Sequence, residues 1–174
     1  MGLVPEVIYL DNEIFNASAE RGILTIILQN PDALIQCAEQ GLFYQHFYVP
    51  VNKNIYSIAC YLAEEGIEKF DSNIIYSAIR DEEIKETIDK VGGRRYIDAL
   101  LVSTVVYENL NMYIKIVKEC DKRRRLYNLA EILKKECIEE KDLTKLMEET
   151  QNKIFQLTED NSQSEVKKVG DGLL

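Results

Sequence analysis

The sequence predicts an all-α protein, a compact helical bundle of about six helices followed by a long antiparallel helical hairpin. Three observations lead there. Apolar residues recur at steps of three and four through most of the chain, the spacing that gathers side chains on one face of a helix. No two segments show the period-two alternation of paired strands. Gly, Pro, Asn and Asp cut the chain into pieces of helical length.

In chain order, residues 1–15 carry Pro5 and the run Val7, Ile8, Tyr9 and Leu10 without helical spacing, and read as an extended N-terminal arm. Residues 16–106 read as the globular bundle. Asn16 or Ser18 can cap a first helix ending near Gln29. Ile23, Leu24, Ile26, Ile27 and Leu28 cover nearly every side of it, the pattern of a central core helix. Asn30-Pro31-Asp32 restarts the chain, and a short helix from Ala33 to Glu39 closes at Gly41. The aromatic cluster Phe43, Tyr44, Phe47 and Tyr48 follows. Pro50 then introduces a helix whose Val51, Ile55, Ile58, Ala59 and Leu62 share one face, with Gly66 beyond its end. Asp71 or Ser72 caps a further helix that turns Ile74, Ile75, Ala78 and Ile79 inward. Glu82 to about Lys90 forms another and stops at Gly92-Gly93. Tyr96, Ile97, Leu100 and Leu101 mark the last short helix of the bundle.

Residues 107–157 read as the hairpin. Tyr113, Ile116, Cys120, Tyr127, Ala130, Leu133 and Cys137 lie at helical steps that skip a turn at Arg123. The break falls at residues 138–141, and Asp142 offers a carboxylate to the unpaired N–H groups of a second helix. Leu143, Leu146, Met147, Ile154 and Leu157 make the second stripe. Two antiparallel helices bury only one seam, so a hairpin this long must lean on its own bundle or on another chain. Residues 158–168 are polar, as a linker would be. Residues 169–174 turn apolar again and read as the start of a linker helix, cut off in a piece of a longer chain.

Composition excludes several functions. The 174 residues suit one domain, 46% of them apolar, with a formal charge of −9 that argues against a nucleic-acid surface over the whole protein. Cys37, Cys60, Cys120 and Cys137 have no CxxC spacing and share the chain with one histidine, His46, so reduced thiols in a cytosolic protein are expected rather than zinc. No signal peptide or bilayer-length apolar run occurs. Met1-Gly2 lacks the Ser or Thr that myristoylation requires, since Glu6 stands there. Glu64-Glu65, Glu82-Glu83 and Glu139-Glu140 fall at helix ends, where exposed charge is ordinary, and no catalytic or metal-binding set is expected. No Gly-x-x-x-x-Gly-Lys-Ser/Thr occurs, so nothing cradles a nucleotide phosphate.

A series of segments in this order resembles a known family. Ala19-Glu20, Leu42-Phe43-Tyr44, the helix over Asn54 to Leu62, and Val91-Gly92-Gly93-Arg94-Arg95-Tyr96-Ile97 with Leu100 lead to Glu108-Asn109, Tyr113, Ile116, Val117 and Lys118. Together they resemble the N-terminal domain of DnaB-type replicative DNA helicases, over roughly Ser18 to Leu174. Glu108 in place of a small residue, and the charged pair Arg94-Arg95, fit a divergent member, phage or plasmid encoded. The resemblance implies a non-catalytic collar domain of a hexameric DNA-unwinding motor, a homo-oligomer from dimer to hexamer in which hairpins of neighbouring subunits pair. It implies docking of primase and helicase loader, contact with DNA only through the full-length protein, and no membrane. It implies no cofactor in this chain, with ATP and Mg expected only in the absent motor domain. Two other readings stay open: the helicase-binding domain of a primase, which has a similar bundle and hairpin, and a stand-alone adaptor or inhibitor that mimics the collar.

The candidate interface residues are Tyr113, Ile116, Cys120, Arg123, Tyr127, Leu133, Leu143, Leu146 and Ile154. Packing within the chain is the alternative for each. Lys118, Lys122, Arg124 and Arg125 are candidates for a charged partner contact, within the only concentrated positive charge of an acidic chain. Lys118, Lys122 and Arg125 share a helix face while Arg123 and Arg124 point elsewhere, so the run is open to three readings: a solvated face, a subunit or partner contact, or direct DNA contact.

Overall fold

A computed structural model describes residues 14–140 and 142–166, with side chains through Leu157. The arm expected over 1–15 therefore lies, up to residue 13, outside the described residues, as does the apolar ending 169–174. Among the described residues there are eight α-helices and no strand.

Helix α1 (Ala17–Gln29) starts where Asn16 Oδ1 accepts the Ala19 N–H at 2.8 Å. Because Ile23, Leu24, Ile26, Ile27 and Leu28 point to all sides, α1 can be satisfied only by burial on all sides, and each of these side chains is buried. Around it stand α2 (Ala33–Glu39), α3 (Pro50–Glu64), α4 (Ser72–Ser77), α5 (Glu82–Asp89) and α6 (Arg94–Val102), with a 3-10 turn at Tyr44–His46 between α2 and α3. The caps follow local chemistry. Asp71 accepts from Ile74 N–H, Asp81 from the N–H groups of Glu83 and Ile84, and Pro50 opens α3 at a position that needs no donor. Gly93, at φ 60, ends the α5–α6 connection in a conformation that side-chain-bearing residues resist, and an added Cβ there would lie 2.9 Å from Asp89 Oδ1.

One buried carboxylate joins three of these parts. Glu20, 1% exposed on α1, accepts the backbone N–H groups of Tyr48 and Val49 and the Asn52 side-chain amide at 2.7, 3.2 and 2.9 Å. Asn52 in turn accepts the Tyr96 hydroxyl at 2.7 Å. A charge buried this deeply persists because its oxygens are supplied with donors, here at the N-terminal edge of α3 where a negative charge is favoured.

The hairpin consists of α7 (Leu110–Glu139) and α8 (Leu143–Val166). Asp142 Oδ1 accepts from the N–H groups of Thr144 and Lys145, the cap expected from the sequence. Helix α8 runs past Leu157, where a linker was expected to begin. No Gly or Pro falls between Leu157 and Val166 to break the helix, and residue types such as Glu and Gln extend one at little cost. The most extensive helix pairing in the bundle is between α1 and α7, so the hairpin's first helix is also a wall of the core.

Candidate interaction surface

Helix α7 has two halves with different neighbours. In its basal half Leu110, Ile114, Val117, Cys120 and Asp121 are buried, at steps of four, three, three and one. Tyr113 and Ile116 flank this stripe, half-buried and packed against the bundle core. The sequence pattern placed the stripe one residue off, on Tyr113 and Ile116. The step that resolves the phase is Asp121, a charged residue in a position the apolar template leaves out.

Among the described residues the outer half of α7 pairs with α8. Leu129, Leu133 and Glu136 on α7 and Leu146, Thr150, Lys153 and Leu157 on α8 are the buried or half-buried positions, spaced as one inward stripe on each helix. Lys153 Nζ reaches Glu136 Oε2 at 2.7 Å across that seam. Beside it, among the described residues, lies a second stripe of exposed apolar side chains: Leu143 (70% exposed), Met147 (56%) and Ile154 (47%) on α8, and Leu126 (59%) and Tyr127 (48%) on α7. Leu143, Met147 and Ile154 lie within about 40° of one another around a helix, so they share one face of α8. Ile132 and Ile138 are also exposed.

The expected interface residues therefore separate into three groups. Tyr127, Leu143 and Ile154 are outward and Arg123 is exposed; Leu133 and Leu146 line the seam inside the hairpin; Tyr113, Ile116 and Cys120 face the bundle. The expected charged contacts divide as well. Lys118 Nζ donates to the Gln40 carbonyl at 2.6 Å, and Arg124 is committed to its own chain through Ile14, His46 and Asp121. Arg125 Nε lies 2.8 Å from Asp121 Oδ2, and Lys122 is exposed. Met147, Phe155 and Leu126 were outside the expected set. Met147 could have been found by following the 143–147–154 spacing around the helix, whereas Phe155 lies about 120° from Leu143 and is off that face.

A cleft of about 600 Å³ lies between the foot of α7, the start of α3 and α5, lined by Phe47, Tyr48, Lys53, Ile84, Arg124 and Arg125 among others. His46 stands close by, half-buried, with Nδ1 accepting the Phe43 N–H at 2.9 Å. Burial holds its pKa below the usual 6.5, helped by the charges of Lys118 and Arg125 and opposed by Asp121 and the Phe43 backbone. The thiols of Cys37 and Cys60 are pushed up to about 12 and about 11 by burial, so neither is a nucleophile at neutral pH. Among the described residues no group of His, Cys, Asp and Glu could hold a metal ion, and no helix is long and apolar enough to cross a membrane.

The fold and this surface define a class: among the described residues, an all-helical bundle carrying a two-helix arm with an exposed apolar flank. The family model described as the DnaB-like helicase N terminal domain matches residues 12–119, and the chain belongs to that family. It is 29% identical over 160 residues to the replicative DNA helicase DnaB of Nostoc sp., covering 91% of this chain and 18% of that protein. It is 28% identical over 144 residues to the replicative DNA helicase DnaB of Treponema pallidum, covering 82% of this chain and 32% of that protein. The crystal structure of the N-terminal domain of DnaB helicase from Mycobacterium tuberculosis has the same fold, with a TM-score of 0.70 at 22% identity over 82% of this chain and 99% of the other. The chain thus spans under a third of the length of the two helicases it resembles.

Proposed function

We propose that this chain is the N-terminal collar domain of a hexameric replicative DNA helicase, working in the cytoplasm as an assembly and docking module. The observation that carries the reading is the exposed apolar flank of Leu143, Met147 and Ile154 on α8, with Leu126 and Tyr127 exposed on α7. Clustered apolar side chains of this size, set on a rigid two-helix arm, favour burial against another protein surface. The proposed occupant is the same flank on a neighbouring copy, with hairpins pairing antiparallel. Primase and helicase loader would dock on the assembled collar. DNA would be engaged through the full-length protein, and ATP and Mg would belong to its motor domain. Family membership, and the small share of each related helicase that the chain spans, support this division of labour.

The test is absolute mass by light scattering or native mass spectrometry over a wide concentration range, for the wild type and for Leu143→Asp and Ile154→Asp. Oligomers in the wild type, and monomers of unchanged helicity in both variants, are expected. Leu143 is 70% and Ile154 47% exposed within the chain, so folding tolerates the charge while a buried contact does not. A wild type that stays monomeric throughout, or variants that assemble as the wild type does, would remove the hairpin flank as the contact.

A further inference from the structure

The bundle's grip on α7 changes character before the hairpin leaves it. Leu110, Ile114 and Val117 belong to the continuous apolar core; beyond Val117 no residue of α7 does. The next turn is held by a polar cluster. Arg124 Nη1 donates to the Ile14 carbonyl at 2.6 Å, and Nη2 donates to the His46 carbonyl at 2.6 Å and to Asp121 Oδ1 at 3.0 Å. The guanidinium lies 5.3 Å from the centre of the Tyr48 ring, which itself stacks on Phe15 at 4.7 Å. Asp121 is 7% exposed and takes Arg125 on its other oxygen. One side chain thus ties the foot of the hairpin to the chain entering α1 and to the 3-10 turn before α3.

We infer that Arg124, held in place by Asp121, is the latch that fixes the angle at which the hairpin leaves the bundle. Apolar contacts are non-directional and tolerate a small rotation of one helix on another. A planar guanidinium fixed to two carbonyls and a carboxylate tolerates much less, because its donors diverge in set directions. The lever beyond it is long. From Arg124 to Glu139 at about 1.5 Å per residue the outer half of α7 extends about 22 Å, so a tilt of about 10° carries its tip about 4 Å. The latch acts within one chain, so it stands independently of whether hairpins pair. If they do, it sets the geometry in which they meet.

The test is the distance from the hairpin tip to the bundle, read by pulsed electron paramagnetic resonance between spin labels on exposed Cys137 and on Asp98→Cys in α6. The half-buried Cys60 is replaced by Ala in this background, and the labelled protein is diluted into unlabelled protein so that only intrachain distances count. The wild type should give one narrow distribution. Arg124→Gln should shift its mean by about 4 Å or double its width, with helicity and cooperative unfolding retained. A merely structural role would lower the melting temperature and leave the distance where it was. The same mean and width in folded Arg124→Gln would therefore overturn the latch. Should that variant fail to fold, Arg124→Lys decides by the same reading, since it keeps the charge and the aliphatic stem but cannot span both carbonyls.

Discussion

Gly22 sits in the middle of α1, where glycine is a poor helix former, so its replacement by alanine puts the packing of the hairpin against the bundle to a quantitative test. On helix propensity alone Gly22→Ala should stabilise by about 1 kcal/mol. The structure places a competing term there. A Cβ at residue 22 would lie 2.7, 2.9 and 3.1 Å from Cε2, Cδ2 and Cζ of the Tyr113 ring, which packs from α7. Carbon atoms rest at about 3.5–4.0 Å, so the ring would have to retreat by about 1 Å. Tyr113 is half-buried against the core, on the helix that makes the most extensive contact with α1, so it can retreat only by leaving its rotamer or by pushing α7. Overpacking of this kind costs about 1–3 kcal/mol, which leaves a net loss of about 1 kcal/mol once the propensity gain is subtracted. Urea unfolding followed by far-ultraviolet circular dichroism measures it. The control is the same substitution beside Tyr113→Ala, where the obstacle is gone and Gly22→Ala should stabilise by about 1 kcal/mol, a change of sign between two backgrounds. If Gly22→Ala stabilises both backgrounds alike, the ring moves freely and the close fit of α7 on α1 is wrong.

Three other expectations follow from buried groups. Glu20→Gln should cost about 2–3 kcal/mol in the same unfolding measurement, because one amide oxygen cannot serve the Tyr48, Val49 and Asn52 donors and the new NH2 must face one of them; a loss under about 0.5 kcal/mol would mean that water replaces the carboxylate. His46 should titrate by NMR below 6.5 in the folded protein. Between the lowered folded value and 6.5 the unfolded chain binds more protons, so this group's contribution to stability is full above 6.5 and is lost as the pH falls through the folded value. Stability should therefore fall less on acidification in His46→Gln, and a folded midpoint above 6.5 would contradict the burial argument. Ellman's reagent should find one fast thiol in the native protein, Cys137, with Cys37 reacting only on unfolding, because Cys137 is exposed and Cys37 is buried with its pKa raised to about 12; a fast phase that survives Cys137→Ser would refute that assignment.

The parts of this fold visible in the sequence are those encoded by neighbours in the chain. Asn16, Asp71 and Asp142 cap helices within three residues of themselves, and Pro50 fixes a helix start through its own ring, so each boundary could be read locally. The central position of α1 was equally plain, since a helix apolar on every side has only one stable place. What sequence could not supply was the rotation of α7. Tyr113 and Ile114 are adjacent and both apolar, and the periodic template fits either. The choice is made from outside, by the small face that Gly22 offers to the Tyr113 ring and by a buried aspartate that interrupts the apolar pattern. Arg124 escaped for the same reason. Its two carbonyl partners lie 110 and 78 residues away in the chain, and a run of four basic residues has no local mark saying which one turns inward.

That inward turn changes what the basic run can be. Helical phase alone had grouped Lys118, Lys122 and Arg125 on one face, available to a partner. Lys118 and Arg124 instead donate to backbone carbonyls of the bundle, and Arg125 joins Arg124 in neutralising Asp121. Lys118, Arg124 and Arg125 are thus engaged inside the chain, while the Lys122 and Arg123 positions are exposed at its surface. A polyanion would need several clustered cations to repay displacement of its counterions, and the acidic balance of the whole chain adds repulsion. The physical case for contact with another molecule therefore moves outward along the hairpin, from the charged foot to the apolar flank. Assembly by that flank should be weakly dependent on salt, or strengthened by it, whereas docking through the charged foot should weaken as ionic strength rises. A mass measurement repeated in low and high salt separates the two, and oligomers that dissociate in high salt would return the contact to Lys122 and Arg123.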